Sequence, residues 1–353
     1  METKITTPLL VLLFITFTAN PSRAQAFEDA GQYIDYIGKH NQDLTLTYLS
    51  YISAVAHNKS ARKVEKRRQE VLDKIYYTRT TINSMSPWKG DRTYKDTTVA
   101  YLKILETVFR EDYGKIVNME EIAEQSYDAM EAYMLAQEKA EEKLEEARVR
   151  QHETTKRFAK KNNVNLIEGE SDISIKGEKA SEVTKHHNEV YLIFFKPYKQ
   201  EAYLLEAAEK GNLVALEQNI NSLGKIATEN LEKLKTIKPL NGDGTMIVAT
   251  REALFFYQSE AKQAKAMTDF YLKKEKFEKI KKSFDSKRSG ERTQKDVDEY
   301  NNGVNEWNQA IKDYNDLNQS LNKERSKMLE NWNKKSKKFM DEHMPVQGKV
   351  KQN

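Results

Sequence analysis

The chain has 353 residues, a formal net charge of +4, 32% charged residues and no cysteine. Without cysteine it can form no disulfide, thiolate nucleophile or zinc–cysteine site, so packing alone must hold the fold. The 58 basic and 54 acidic residues are interspersed along the chain. This balance argues against a nucleic-acid partner and is typical of solvated helical surfaces.

The first residues predict a signal peptide. Lys4 precedes the apolar run Pro8–Ala19, which is shorter than a membrane span, and Ala24-Gln25-Ala26 has the small-x-small form of a signal-peptidase site. We expect cleavage after Ala26, with cleavage after Ala24 as the alternative, so that residues 1–26 are removed. No later segment is apolar enough to span a membrane. We therefore expect an exported protein, in the periplasm or at the surface of a Gram-negative-type bacterium.

Four helices are predicted in a first bundle, residues 27–163, because apolar residues recur there at spacings of three and four. The first ends at the polar turn "HNKS" (57–60), the second covers 61–84 and the third runs from Thr93 to Tyr113. The fourth restarts with Asn118 as its N-cap and becomes highly charged between Gln137 and Lys161. That charged segment either projects beyond the core or packs through a narrow seam.

A break in the helical pattern predicts a linker at 164–178. Its glycines and the alternating Ile173 and Ile175 indicate a loop or a small hairpin. A second bundle, 179–344, follows, with a flexible tail at 345–353. We expect its helices at about 178–210 (kinked near Pro197), 213–237, 245–284 and 291–343, and the last has apolar residues near heptad spacing.

A repeated loop indicates an internal duplication. "SPWKGDRTYKD" and "KPLNGDGTMIV" share the pattern P-x-x-G-D-x-T, and every matched pair is 152 residues apart. Proline ends the preceding helix, glycine permits a positive φ, and Asp or Thr can cap the next helix. The pairs are Pro87 and Pro239, Gly90 and Gly242, Asp91 and Asp243, and Thr93 and Thr245.

The duplication predicts an all-α fold of two tandem antiparallel helical-bundle repeats with long, coiled-coil-like helices. His40-Asn41 and His187-Asn188 are a further match, 147 residues apart. We interpret Asn41 and Asn188 as candidate buried polar residues that fix helix register.

The sequence contains no convincing catalytic or metal motif. Asn241, Asp243, Thr245 and Glu252 are spaced as in a calcium loop, but Met246 stands where that loop needs glycine. None of the six histidines follows the Glu-x-x-His pattern of a di-iron bundle. The nucleophile-elbow serine motif and a glycine-rich phosphate loop are also missing. We therefore expect a non-enzymatic protein with no catalytic residues, no metal and no cofactor.

Lysine clusters near the C-terminus form a candidate basic contact face. Phe270, Phe277 and Phe284 recur every seven residues beside them, which predicts a packed seam with lysines outside. An ordinary solvated face is the simpler interpretation, and weak contact with anionic lipid or polysaccharide is the alternative. The lysines are Lys273, Lys274, Lys281, Lys282, Lys334, Lys335, Lys337 and Lys338.

With its signal peptide, long tyrosine-rich helices and paired "PWKGDRT" and "PLNGDGT" units, the chain resembles uncharacterised secreted all-helical surface proteins of bacteria. The resemblance implies an exported binding or structural role without assigned chemistry. We expect an interaction protein that holds a protein or an envelope component on its helix faces or in the groove between the copies. A periplasmic holdase-like chaperone, with the charged segment Gln137–Lys161 and the lysine-rich helices clasping its clients, is the alternative, and an unusual hydrolase is a third.

Overall fold

In the computed structural model of the chain, residues 27–56, 61–116, 123–166 and 172–345 are described. The predicted signal peptide, the "HNKS" turn, Asn118 and nearly all of the predicted tail lie outside these residues. Within the described ranges the only bridges are two isolated ones in loops, so the all-α prediction is confirmed. The helices are α1 Ala30–Ala56, α2 Ala61–Ser84, α3 Thr93–Thr107, α4 Tyr127–Lys161, α5 Asp172–Glu209, α6 Leu213–Leu234, α7 Thr245–Gln263, α8 Lys265–Asp285 and α9 Gln294–His343.

The predicted hairpin in the linker is wrong. Ile173 and Ile175 lie in the first turns of α5, and Ile175 is exposed rather than buried against a partner strand. Gly177 has open space around it. A glycine inside a helix costs about 1 kcal/mol relative to alanine, and a 38-residue helix can absorb that cost.

Two predicted helix boundaries also differ. The helix expected to continue through 245–284 is divided at Ala264, the single residue between α7 and α8. α3 continues into a π-helical segment, Val108–Asp112, whose Phe109 carbonyl accepts a hydrogen bond from Arg68 Nη1 at 2.7 Å. The last helix begins after Thr293, which forms a capping box with Asp296.

The helices pack as two groups that share one core. α1, α2, α3 and α4 pack in sequence, as do α5, α6, α7 and α9. α5 also packs against α1 and α4. Most buried apolar side chains of both groups form one continuous cluster from Ala30 to Met344, and Ala123, Met130 and Phe195 form a second, smaller one. The charged segment of α4 is part of this packing, because small residues such as Ala140 and Ala147 form a narrow buried seam.

A side-chain hydrogen bond satisfies the backbone carbonyl that Pro197 leaves without a helical donor. Pro197 lies inside α5 and has no N–H to donate to the Ile193 carbonyl four residues earlier. Asn230 Nδ2 of α6 donates to that oxygen instead, at 2.7 Å. Asn230 is itself 3% exposed. The buried asparagine therefore lets α5 continue past its proline.

Three charged side chains lie in the core of the second group. Arg325 of α9 donates to both Glu201 of α5 and Glu260 of α7. Glu260 is fully buried and Glu201 is nearly so. Burial raises the pKa of Glu260, and the neighbouring Glu201 carboxylate raises it further, so the two acids share one guanidinium.

α8 and the first half of α9 form a helical hairpin, which we call the arm (Lys265–Leu317). Their seam is aromatic: Phe270 stacks on Tyr314 with ring centroids 4.1 Å apart, and Phe284 stacks on Tyr300 at 4.4 Å. Between them Phe277 lies beside Trp307, with centroids 6.1 Å apart. A Cβ on Gly303 would come within 3.2 Å of Ile280 Cδ1. The predicted seven-residue seam is therefore the line along which α8 meets α9.

We predict that Asn230→Ala destabilises the chain by about 2 kcal/mol, because it leaves the Ile193 carbonyl buried without a donor. Urea unfolding followed by circular dichroism measures this cost. In a Pro197→Ala background residue 197 regains its N–H, so the same Asn230→Ala change should cost less than half as much. Equal costs in the two backgrounds would contradict this account.

Candidate functional site: the interbundle cleft and the two loop anchors

The two repeated loops have the same backbone. Lys89 and Gly90 have φ values of 48° and 84°, and Asn241 and Gly242 have 50° and 84°. Positive φ at both central positions is the type I′ turn, for which Asn-Gly is a preferred sequence. The turn is closed by the Asp91 N–H donating to the Trp88 carbonyl at 2.8 Å. The Asp243 N–H donates to the Leu240 carbonyl over the same distance.

Each loop aspartate anchors the loop to the end of a distant helix. Asp91 Oδ1 accepts from the Thr93 N–H at 2.9 Å, and its Oδ2 accepts from Lys161 Nζ at 2.7 Å. Asp243 Oδ1 accepts from the Thr245 N–H at 2.7 Å, and its Oδ2 lies 2.7 Å from His343 Nε2. Lys161 and His343 are the last residues of α4 and α9. One carboxylate therefore caps a helix start and pairs with a basic helix end.

These contacts lower the pKa of both loop aspartates. For Asp91 the hydrogen bond from Lys161, aided by Thr93, lowers the pKa to about 2. For Asp243 burial raises the pKa, but hydrogen bonds from Thr245 and His343 outweigh it, and the result is again about 2. Both groups are therefore ionised at neutral pH.

The second loop does not assemble a calcium site. Glu252 accepts a hydrogen bond from Asn331 Nδ2 at 2.7 Å and is thus directed to α9. Asp243, Glu342 and His343 bring potential ligand atoms within 4.8 Å of one another. Both Asp243 oxygens are already engaged, and Lys161, which cannot bind a metal, takes the place of His343 at the first loop. These contacts favour a hydrogen-bonded loop anchor over a metal site.

The other predicted site residues are dispersed. Asn41 is half-buried on α1, and within the described residues its Oδ1 has no hydrogen-bond partner. Lys273, Lys274, Lys281 and Lys282 lie on the arm, whereas Lys334, Lys335, Lys337 and Lys338 lie near the C-terminal end of α9. Ile280, which precedes Lys281 and Lys282, lies opposite Gly303, so these two lysines are about 45 Å from Lys334 along α9. The two sets of lysines cannot form one face.

Asn188 lies in a cleft of about 860 Å³ between the two groups of helices. α1, α4 and Tyr113 form one wall, and α5 and the C-terminal part of α9 form the other. This volume falls in the range of small-molecule and peptide side-chain sites. The lining residues are Tyr51, Ile52, Val55, Tyr113, Ala123, Glu124, Met130, Tyr133, Met134, Gln137, Glu141, Thr184, His187, Asn188, Tyr191, Trp332, Asn333, Ser336, Lys337, Met340 and Asp341.

Stacked aromatic rings hold the first wall in place. Phe109 stacks on Tyr113 with centroids 4.8 Å apart, and Tyr51 packs edge-on against both rings. Phe109 belongs to the π-helical segment, an irregularity that often occurs at functional sites. Across this wall Glu141 accepts a long hydrogen bond from Ser181 Oγ at 3.4 Å, and burial raises the pKa of Glu141.

The second wall is built around Trp332. Its indole is stacked on Phe194 at 4.0 Å, and its Nε1 donates to Thr250 Oγ1 at 3.1 Å, so the ring is fixed at both its face and its edge. Tyr191 packs edge-on against it at 5.7 Å. These contacts give the cleft a rigid aromatic surface, while Met130, Met134 and Met340 supply flexible apolar side chains.

His187 and Ser336 are the only residues of the cleft lining whose arrangement resembles a base and a nucleophile. His187 Nε2 lies 3.1 Å from Ser336 Oγ. Burial lowers the pKa of His187 to about 4, which makes it a weak base compared with the value near 7 that suits general-base catalysis. Ser336 lies inside α9, where backbone N–H groups bond within the helix and cannot form an oxyanion hole. The pair is suited to hydrogen bonding with a ligand.

The sequence offered no motif for this cleft. Its residues come from distant segments and share only a composition of tyrosine, methionine and amide side chains.

None of the described helices is both long and apolar enough to cross a membrane. A comparison with known protein families, with curated proteins and with solved structures found no match to this chain.

We predict that Asp91→Asn and Asp243→Asn each reduce stability by about 1 kcal/mol at pH 7, a modest value because both groups are partly solvated. Asparagine keeps the cap but removes the charge. The pKa of each aspartate is lower in the folded chain than in the unfolded chain. Its contribution to the free energy of unfolding is therefore complete above the unfolded pKa of about 4 and is lost as the pH falls through the folded pKa of about 2. Chemical unfolding at pH 7 and pH 2 should show a much smaller difference at pH 2; a deficit that is undiminished at pH 2 would refute the role of the aspartate charges.

Proposed function

We propose that the chain is a non-enzymatic, exported binding protein that holds an apolar segment of a protein or envelope component in the cleft between its two helical bundles. The observation that carries this proposal is the cleft itself, with aromatic walls, three methionines and dispersed amide and hydroxyl groups. Such surfaces bind apolar side chains through contact area and bind the backbone through hydrogen bonds.

The charges around the cleft support a ligand that is mainly uncharged. His187 is neutral at pH 7 because burial lowers its pKa. Lys337 lies 3.4 Å from Asp341 and compensates it. The other acidic residues of the lining are Glu124 and Glu141, and burial raises the pKa of Glu141. An extended peptide with apolar side chains fits this balance better than an anionic small molecule.

The proposal of a binding role rests on the weak base in the Ser336–His187 pair and on the mid-helix position of the serine, both of which disfavour nucleophilic catalysis. Export is proposed from the sequence of residues 1–26 and from the likeness to secreted helical surface proteins. A location in the periplasm or on the surface of a Gram-negative-type bacterium is part of this proposal.

A holdase-like chaperone remains the second proposal, and the methionine-rich cleft is the observation that favours it. Its expected clasp, Gln137–Lys161, packs against α3 in the first group of helices. A holdase would therefore have to use the cleft and the arm instead.

We further propose that the two bundles are copies of one four-helix unit. Buried positions of α2 and α6 recur at the spacing of the loops, 152 residues, and so do those of α3 and α7. Thr98 and Thr250 illustrate this, because each accepts a buried hydrogen bond from the last helix of its group, from Gln151 and Trp332 respectively. Further pairs are Val64 and Leu216, Val71 and Leu223, Ile82 and Leu234, Tyr94 and Met246, and Leu102 and Leu254.

The proposed duplication also implies an insertion and a different partner for His40. The last helices, α4 and α9, align at 181 residues, as in the buried pairs Ala140 and Leu321, Ala147 and Met328, and Phe158 and Phe339. The extra 29 residues precede Leu321, where the arm lies. In α1 and α5 the buried residues Ile37 and Val183 align at 146 rather than 147, which pairs His40 with His186.

The buried charges of the second group have apolar counterparts in the first. At these spacings Glu201 corresponds to Val55, Glu260 to Val108 and Arg325 to Leu144. Val108 is buried, and Val55 and Leu144 are partly buried against the core. The unit therefore accepts either an apolar or an ionic trio at one place in its core.

The cleft is tested by binding of the uncharged apolar fluorescent probe N-phenyl-1-naphthylamine. We predict that Met134→Glu and Met134→Trp each weaken binding at least about fivefold, the first by charge and the second by filling the space. Leu135→Glu is the matched control, since Leu135 is the next residue of α4 and is 52% exposed. Equal binding by all variants would overturn the site.

The natural ligand is sought with a photo-crosslinking amino acid at position 134 or 135 in envelope extract. We expect a specific adduct from position 134 that the probe competes away, and none from position 135. An aggregation assay with an unfolded outer-membrane protein separates the two functions: suppression that Met134→Glu abolishes favours the holdase, and no suppression favours a dedicated ligand.

The duplication is tested by placing the apolar trio into the second bundle. Arg325→Leu alone should cost about 3–5 kcal/mol because it leaves two buried acids without a partner. The triple variant Glu201→Val, Glu260→Val and Arg325→Leu should melt at or above the wild-type temperature. Thermal unfolding measures both, and a triple variant as unstable as the single one would contradict the proposed equivalence.

A further inference from the structure

The arm extends beyond the core that stabilises the rest of the chain. Its base is fixed, because the Tyr271 hydroxyl donates to the Ala208 carbonyl and Tyr271 and Tyr314 pack against the core cluster. From Phe277 to the tip and back to Trp307 the apolar residues are absent from that cluster. This part of α8 therefore has α9 as its main packing partner.

Two helices cannot cover an aromatic seam. The six rings at seven-residue spacing, Phe270, Phe277, Phe284, Tyr300, Trp307 and Tyr314, stack on one another but all remain partly exposed. In a four-helix bundle the same seam would face a second pair of helices and be covered. A partner that packs on the arm would therefore gain free energy by burying the apolar area that is still exposed.

The two helices of the arm carry opposite charge. α8 has seven lysines and four acidic residues, a net charge of +3. α9 from Gln294 to Leu317 has two lysines and six acidic residues, a net charge of −4. Ion pairs within the arm, Lys276 with Glu306 and Lys287 with Asp296, already use this complementarity, each at 2.6 Å.

We propose that the arm is a self-association surface, on which the arm of a second copy of the chain packs about a two-fold axis to complete a four-helix bundle. The two-fold operation places α8 of one copy beside α9 of the other, so positive and negative helices alternate around the bundle. Only this pairing avoids contact between like-charged helices. A second copy offers both a positive and a negative helix, whereas an acidic partner would face the acidic α9, so we favour a second copy.

The expected dimer is weak and sensitive to salt. α8 is about 30 Å long and the hairpin is about 20 Å wide, so about 600 Å² per copy can be covered. The total of about 1,200 Å² is at the lower limit of specific interfaces. We expect a dissociation constant of tens of micromolar at low salt and an increase of about tenfold in 0.5 M salt.

Sedimentation equilibrium of the purified chain between 1 and 500 µM tests the proposal with a charge swap. Lys274→Glu with Lys281→Glu changes the net charge of α8 from +3 to −1, and Glu299→Lys with Asp316→Lys changes that of the arm part of α9 from −4 to zero, so each removes the charge complementarity on one helix. Each double variant alone should be monomeric over the whole range. An equimolar mixture of the two should regain a one-to-one dimer, a rescue that misfolded variants could not give.

Lys233→Glu with Lys238→Glu is the matched control, since these exposed lysines lie at and just beyond the end of α6, outside the arm. It should dimerise like the wild type. A wild-type chain that stays monomeric to 500 µM, or a dimer that both arm variants preserve, overturns the proposal. So does a monomer that binds phosphatidylglycerol vesicles and loses that binding on Lys274→Glu with Lys281→Glu, since the lysines would then serve a lipid surface.

Discussion

The packing of α5 against helices of both groups is the contact on which the rest of the structure depends. The chain has no cysteine, so no disulfide can join the groups, and the apolar area buried along α5 must do so. α5 meets α1 and α4 on one side and α6 and α7 on the other. It also supplies His187, Asn188 and Tyr191 to the cleft. Anything that bends or shortens α5 therefore alters the core and the cleft together, which is why the carbonyl freed by Pro197 needs the buried Asn230.

Specificity in the core comes from a few buried polar groups in an otherwise apolar interior. Thr98 with Gln151 and Thr250 with Trp332 fix the last helix of each group relative to the third, and a slip by one turn would leave these groups unpaired. The Arg325 cluster is different in kind. Burying one guanidinium with two acids costs desolvation that the ion pairs barely repay. Its benefit is that α5, α7 and α9 meet in one register only.

Local sequence patterns predicted the helices and turns of this fold. Contacts between segments that are distant in the sequence could not be predicted in this way. Spacing of three and four predicted helices, and P-x-x-G-D-x-T predicted a turn with positive φ at Gly90 and Gly242, because glycine and the Asx side chain act within a few residues. The hairpin predicted at Ile173 and Ile175 is wrong, because an alternation of apolar residues over three positions is a weaker signal than the helical preference of the long segment that follows. Pairing of Asp91 with Lys161 and the cleft could not be read from sequence, since both depend on how α4 ends relative to α3 and how α5 lies against α1.

The arm is an addition to the fold and lies outside the core that stabilises the two groups of helices. In the proposed duplication, the positions matched on both sides of the arm are buried in both groups, which implies that the bundle closes with or without the 29 extra residues. Aromatic stacking adds about 0.5–1.5 kcal/mol per pair beyond area burial, and a two-helix hairpin without other support is only marginally stable in water. A row of six large rings on such a hairpin supplies more apolar surface than its own two helices can cover. Tyr314 packs against the core at the base of the arm, but neither the core nor the cleft uses the rings from Phe277 to Trp307, so their aromatic and charge pattern is best explained by a partner that packs on this part of the arm.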